Sequence, residues 1–365
     1  MSQTRKSVFD GCNKRLNGSK PLSVQKSLLQ LANFVDPHLM PDVYGSGEAV
    51  QVLEQKVANI LGKEAAVFFP SGTMAQQVAL RCWADRTGRA NVALHLTSHL
   101  EQHEENAYQI LHPLKGIVRG DLKTPLLLKD LLSIDQPLGS VILELPQRHS
   151  GGISPEWNEL KAMSLWCKEK GTYFHMDGAR LWESAAYYQK SYSEIAELFD
   201  SVYVSFYKGL GAVGGAALAG PEAMISKARV WQRRHGGNLF NLFPIAISAL
   251  HGLETRLECF PGYFEKAKKV AEIISNMPHI TATPKQLQSN MMHLNFKGTV
   301  EVVEEALFQT SVATNIYIGN RLWQRPFAKE AALELYIGDG AMDLSNDEIK
   351  AALKTLNGLI AKGSM

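Results

Sequence analysis

The sequence predicts an α/β fold: a large domain on a mainly parallel sheet with helices on both faces, then a small C-terminal α+β domain. Three observations predict it. From Glu48 onward, short apolar runs alternate with amphipathic helical stretches, the pattern of strands joined by crossover helices. That alternation changes after about Leu253, where a long helical stretch precedes two separated strands. The 365 residues suffice for one large domain with a smaller companion and are too many for a single small core.

The elements follow in order. Residues 1–45 carry the turn signals Asn17-Gly18-Ser19-Lys20-Pro21 and Asp36-Pro37, and read as an irregular N-terminal arm. The large domain spans 46–253. In it, residues 48–61 have helical apolar spacing, 64–69 form an apolar strand, Ser71-Gly72-Thr73 breaks the chain, and 74–83 are helical again. Further strands are expected at 92–96, 140–143, 173–176, 201–206 and 214–218. The small domain, 254–365, offers a helix at 263–276, strands at 291–296 and 333–337, and a last helix capped by Ser345-Asn346.

Composition narrows the class. A net charge of +2 with mixed signs gives no basic face for nucleic acid. No apolar run is long enough for a bilayer, and the opening residues lack a signal-peptide core. Cys12, Cys82, Cys167 and Cys259 are far apart with no CxxC pair, so they read as reduced thiols of a cytoplasmic protein rather than a disulfide framework or zinc site.

Four local patterns carry chemistry, at or beside the strand ends where open parallel sheets hold their ligands. Lys208, in Tyr207-Lys208-Gly209, follows the strand 201–206 amid apolar and small residues. Desolvation there would lower its pKa, as nucleophilic and Schiff-base lysines require. Asp177 ends the strand 173–176 and is followed by Gly178-Ala179-Arg180. A carboxylate at that place can keep a pyridine nitrogen protonated, and Arg180 can offer a planar fork to a substrate carboxylate. Pro70-Ser71-Gly72-Thr73-Met74 is a strand-to-helix junction whose unpaired N–H groups and Thr73 hydroxyl suit an anion. His99 and His103 open a short helix in the order H-x-E-x-H, which is not a zinc motif; an imidazole lying flat on an aromatic cofactor fits better, and no metal is expected. Taken singly, each also fits a bland role: a surface lysine, an Asp–Arg pair closing a turn, a helix cap. The run Gly209-Leu210-Gly211-Ala212-Val213-Gly214 matches a dinucleotide fingerprint, but an apolar strand follows it where a helix is needed.

Together these patterns resemble the threonine aldolase family, in the β-eliminating lyase group of pyridoxal-phosphate (PLP) enzymes. Asp42-Val43-Tyr44-Gly45, Leu61-Gly62-Lys63-Glu64-Ala65-Ala66, Pro70-Ser71-Gly72-Thr73-Met74, Ser98-His99 with Glu104, Ser150-Gly151-Gly152, Asp177-Gly178-Ala179-Arg180 and Lys208-Gly209-Leu210-Gly211 carry the resemblance over about residues 40–255. It implies the PLP-dependent transferase-like fold (fold type I), with pyridoxal 5'-phosphate as cofactor. Lys208 would hold the cofactor covalently, Asp177 would pair with the ring nitrogen, and His99 would stack on the ring. Gly72, Thr73 and Ser205 would bind the phosphate, and Arg180 the amino-acid carboxylate. The implied reaction cleaves a β-hydroxy-α-amino acid of the threonine or allo-threonine type to glycine and an aldehyde. The alternatives are β-elimination or transamination of an amino acid, or a catalytically silent homologue. A small-molecule substrate and a homodimer or homotetramer are also implied.

The chain departs from the family pattern at Tyr207, where a serine usually precedes the lysine, and at Phe240, where an arginine would reach a partner's phosphate. Glu334 stands where a second carboxylate-binding arginine is usual; Arg321 and Arg325 are the substitutes nearby in sequence.

Overall fold

The computed structural model describes residues 3–325 and 330–363. They divide into a large unit, Ser23–Glu258, and a small one formed by Met1–Leu22 with Cys259–Met365.

Seven strands make the sheet of the large unit: β1 (Ala65–Phe69), β2 (Asn91–His95), β3 (Lys115–Arg119), β4 (Ser140–Glu144), β5 (Tyr173–Gly178), β6 (Ser201–Ser205) and β7 (Ala216–Gly220). Their order is β1-β7-β6-β5-β4-β2-β3. From β3 to β6 all neighbours are parallel, while β7 runs antiparallel to both β6 and β1. Strands β6 and β7 are buried along their whole length, as expected of strands covered on both faces. The strand expected at 214–218 therefore begins two residues later, and no helix follows the glycine-rich run. The register aligns Glu144 with Asp177 and Asp177 with Tyr203, so these three side chains share one face at one level of the sheet.

Helix α1 (Val24–Phe34), α2 (Glu48–Leu61), α3 (Gly72–Thr87), α4 (Glu222–Arg234) and α5 (Phe243–Arg256) belong to the same unit. α2 buries Val50, Leu53, Val57 and Leu61, the three-four spacing of one helix face, and stops at Gly62 in a left-handed conformation with φ 62°. Its Glu54 carboxylate accepts from the Phe68 amide at 2.8 Å and from both Arg229 terminal nitrogens at 3.0 and 2.6 Å, joining α2, β1 and α4. α3 lays Ala75, Val78, Ala79 and Trp83 against Val67, Phe69 and Leu218 of the sheet.

In the small unit, α6 (Phe260–Ser275), β8 (Ile280–Thr283), β9 (Met291–Lys297), α7 (Val300–Thr314), β10 (Leu322–Gln324), β11 (Glu330–Tyr336) and α8 (Asn346–Gly363) include an antiparallel sheet of order β10-β11-β9-β8.

The irregular arm expected over residues 1–45 needs correction. Gln3–Gly11 is helical, and Lys14–Arg15 pairs with Ile316–Tyr317 in the small unit. Phe9, 1% exposed, meets Phe308 and Tyr317 edge-on, which anchors this segment; burying such a ring contributes about 1.5–3 kcal/mol. Residues 24–34 form α1 in the large unit, capped by Ser23, whose side chain accepts from the Lys26 amide. The expected division at 253/254 falls at 258/259. Strand β3 also escaped the sequence pattern, because an exposed, charged edge strand has little apolar signal.

Gly178 lets the Asp177 turn lie against β6: a Cβ there would sit 2.6 Å from the Tyr203 carbonyl and 3.2 Å from Leu181 Cβ. Gly178→Ala should therefore destabilise the protein by about 1–3 kcal/mol through overpacking. Thermal unfolding should show a midpoint several degrees lower; an unchanged midpoint would contradict this close packing.

Candidate active site

The site is built at the carboxyl ends of β4, β5 and β6. Lys208 stands three residues beyond β6, in a loop closed by the Gly211 amide donating to its carbonyl at 3.0 Å. Burial and the neighbouring Arg180 push the Lys208 amine below its ordinary pKa, against the pull of Asp177, Glu144 and Glu183. Such an amine is more often neutral and hence nucleophilic.

Asp177 is 2% exposed, and its Oδ1 accepts from the Ala179 amide at 3.1 Å, which leaves Oδ2 for a further donor. Arg180 follows in the same turn, its Nε 3.8 Å from a Glu183 carboxylate oxygen. Asp177 and Arg180 are both electrostatic neighbours of Lys208.

His99 lies on the short helix His99–Gln102 after β2. Its Nδ1 is 2.9 Å from Glu104 Oε1, and Glu104, 5% exposed, also accepts from Gln77 of α3 at 3.3 Å. With Nδ1–H donating to that carboxylate, Nε2 is left as the acceptor of the ring. His103 stays beside His99, with ring centroids 5.1 Å apart, and its Nε2 is 2.8 Å from His149 Nε2. Among the described residues no group of three or more His, Cys, Asp or Glu is placed to hold a metal.

At the other end, α3 starts at Gly72 and Thr73, and Ser71 makes no side-chain cap. A Cβ on Gly72 would run into the Tyr203 hydroxyl. Ser205 Oγ is fully buried, makes no close hydrogen bond, and has the Tyr203 hydroxyl as its polar neighbour. A depressed lysine, an aspartate ready to accept, and an uncapped helix start beside buried hydroxyls fit the aldehyde, ring nitrogen and phosphate of PLP.

Several residues of the site went unread in the sequence. Glu144 accepts from Gln147 Nε2 at 3.0 Å and from the Arg148 amide at 3.1 Å, and Gln147 also donates to Thr97 at 2.9 Å. This network links the strand carrying Glu144 to the segment that leads into His99. A glutamate one strand over from Asp177 has no local motif; only the register reveals it. Of the arginines considered as second carboxylate ligands, Arg325 donates to Asn295 at 2.9 Å within the small unit.

Fold and site together define a PLP-dependent lyase. The β-eliminating lyase family model matches residues 39–297, most of the chain, and the protein belongs to that family, in its threonine aldolase group. A Listeria monocytogenes structure assigned as an L-allo-threonine aldolase is 39% identical, with TM-score 0.93 and 99% of each chain covered. An Exiguobacterium structure assigned as an aromatic amino acid β-eliminating lyase/threonine aldolase is 38% identical, TM-score 0.93, covering 97% of this chain and 99% of that one. The low-specificity L-threonine aldolase 1 of Arabidopsis thaliana is 28% identical over 279 residues, 73% of this chain and 77% of the relative.

Glu144 yields a pH prediction. Burial first, then the Asp177 charge, push its carboxyl up to about 7 from an ordinary 4.5. Between those values the folded protein holds a proton that the unfolded chain has lost, so this group's contribution to stability falls as pH rises from about 4.5 to 7. Glu144→Gln should remove that slope, leaving the apo variant more stable relative to wild type by on the order of 1–3 kcal/mol at pH 8 than at pH 4.5. Calorimetry of both apo proteins across this range would show it; parallel stability curves would contradict it.

Proposed function

We propose that the protein cleaves a β-hydroxy-α-amino acid of the threonine or allo-threonine type to glycine and an aldehyde. The observation that carries this reading is the His99–Glu104 pair: a buried carboxylate holds one ring nitrogen and leaves the other as an acceptor. Retro-aldol cleavage needs such a base for the β-hydroxyl proton. The likeness to proteins assigned as threonine and allo-threonine aldolases supports the same reaction.

PLP, when bound, supplies the electron sink for the bond broken at Cα. Asp177 holds the proton on its ring nitrogen. Lys208, its amine below its ordinary pKa, would hold the cofactor. Gly72, Thr73 and Ser205 would hold the phosphate, and His99 would lie against the ring. The Arg180 fork takes the amino-acid carboxylate and so fixes one substituent of Cα. His99 Nε2 then takes the hydroxyl proton, with Glu104 stabilising the imidazolium.

Beta-elimination is the second reading, favoured by the assignment of the Exiguobacterium relative. Unpaired thiols in all four cysteines suit the cytosol.

Incubation with L-threonine and L-allo-threonine should release glycine and acetaldehyde, with little ketoacid. Borohydride reduction and peptide mapping should find the cofactor on Lys208. Asp177→Asn should keep PLP yet lose at least about 100-fold in turnover, since an amide cannot sustain the ring proton. Ammonia and a ketoacid from serine, with no glycine from any β-hydroxy amino acid, would instead establish β-elimination.

A homodimer completes the proposal. Val43, Tyr44, Leu239 and Phe240 are exposed in one patch, where the Tyr44 amide donates to the Phe240 carbonyl and the two rings meet edge-on at 5.5 Å. Clustered exposed apolar side chains mark association surfaces. Sedimentation should give a dimer or larger at micromolar concentration, and Phe240→Glu should shift it towards monomer; an active wild-type monomer would overturn this.

A further inference from the structure

Tyr203 lies in the middle of β6, on the sheet face shared with Asp177 and Glu144, and is 3% exposed. Its ring packs in the cluster formed by Ala75, Val78 and Ala79 of α3 with Val67 and Leu218 of the sheet. That packing explains an apolar ring. It does not explain the oxygen, which is carried to the start of α3, into the space where a side chain on Gly72 would lie.

The start of α3 is poor in partners of its own. The first amide in the helix to find an intrahelical-type acceptor is Ala75, which donates to the Ser71 carbonyl at 3.2 Å. The amides of Gly72, Thr73 and Met74 precede it, and Ser71 does not cap them. A helix of 16 residues concentrates positive potential at that end. The Tyr203 hydroxyl therefore stands among N–H donors, with the hydroxyls of Ser205 and Tyr207 as its polar neighbours. Burial, reinforced by Tyr207 and Asp177, keeps the phenol neutral well above its ordinary pKa, so it remains a donor throughout the working pH range. Donors gathered round a helix start, in a site that holds a phosphorylated cofactor, call for an anion.

We propose that Tyr203 is a phosphate-binding residue, its hydroxyl donating to the phosphate of PLP at the start of α3 and thereby selecting the phosphorylated cofactor over its unphosphorylated form. The proposal rests on the PLP reading above. It also accounts for Gly72, since a larger residue would displace the phenol from the anion's position.

The test compares two ligands that differ only in the phosphate. Apo wild type and Tyr203→Phe are titrated with PLP and, separately, with pyridoxal, following visible absorbance. The substitution removes one oxygen and keeps the ring packed against α3, and circular dichroism checks the fold. A hydrogen bond to a charged acceptor predicts a Kd for PLP raised about tenfold or more, with the Kd for pyridoxal changed less than about twofold. An unchanged PLP affinity, or equal weakening of both ligands, overturns the proposal by reducing Tyr203 to a packing residue. Failure of the wild type to bind either ligand is a different result: it removes the cofactor assignment and this proposal with it.

Discussion

The site depends on one constraint: several ionisable groups are held out of water at or just beyond neighbouring strand ends, where each acts on the proton affinity of others. Asp177, Glu144 and Glu183 face Lys208 and Arg180 across short distances in a medium of low polarity. Each carboxylate raises the lysine's proton affinity, while burial and the arginine lower it, and the lysine ends below its ordinary range. Burial first, and then the Asp177 charge, keep Glu144 protonated to near neutrality. A parallel sheet brings Glu144 and Asp177 together cheaply, because in-register neighbours on parallel strands share a face without any loop having to aim them.

That geometry explains which parts of the site could be read in the sequence. Lys208, Asp177, Arg180, Gly72 and Thr73 each lie at or just beyond a strand end or open a helix, and the punctuation around them is local: a glycine after the aspartate, glycines after the lysine, Ser-Gly-Thr before a helical stretch. The central strands and α2 were legible for the same reason, since apolar period and capping are local signals. Glu144 and Tyr203 were not legible. Glu144 gains its meaning from Asp177 on the adjacent strand, 33 residues away, and Tyr203 from Gly72 at the start of α3, and both juxtapositions are tertiary properties.

The failures at the amino end have another cause. Gln3–Gly11 and α1 look irregular because turn signals surround them and α1 buries none of its residues. Their order comes from partners rather than propensity: Phe9 from the aromatic rings of the small unit, α1 from its capping serine and the edge-on contact of Phe34 with His251. Short helices gain most of their stability from such contacts.

The antiparallel pairing of β1 with β7 has a consequence for how the chain acquires its shape. Residue 65 lies opposite residue 220, so the strand made first in this sheet waits for the strand made last before its ladder can close. During synthesis β1 emerges with α2 and α3 while its partner is still absent, and its apolar faces and open edge are exposed for the time needed to add about 150 residues, on the order of 10 s at common translation rates. The approach of Tyr203 on β6 to Gly72 beside β1, proposed above to seat the phosphate, spans the strand position that β7 fills. On that proposal, the phosphate seat is complete only in a chain whose seventh strand has joined the sheet.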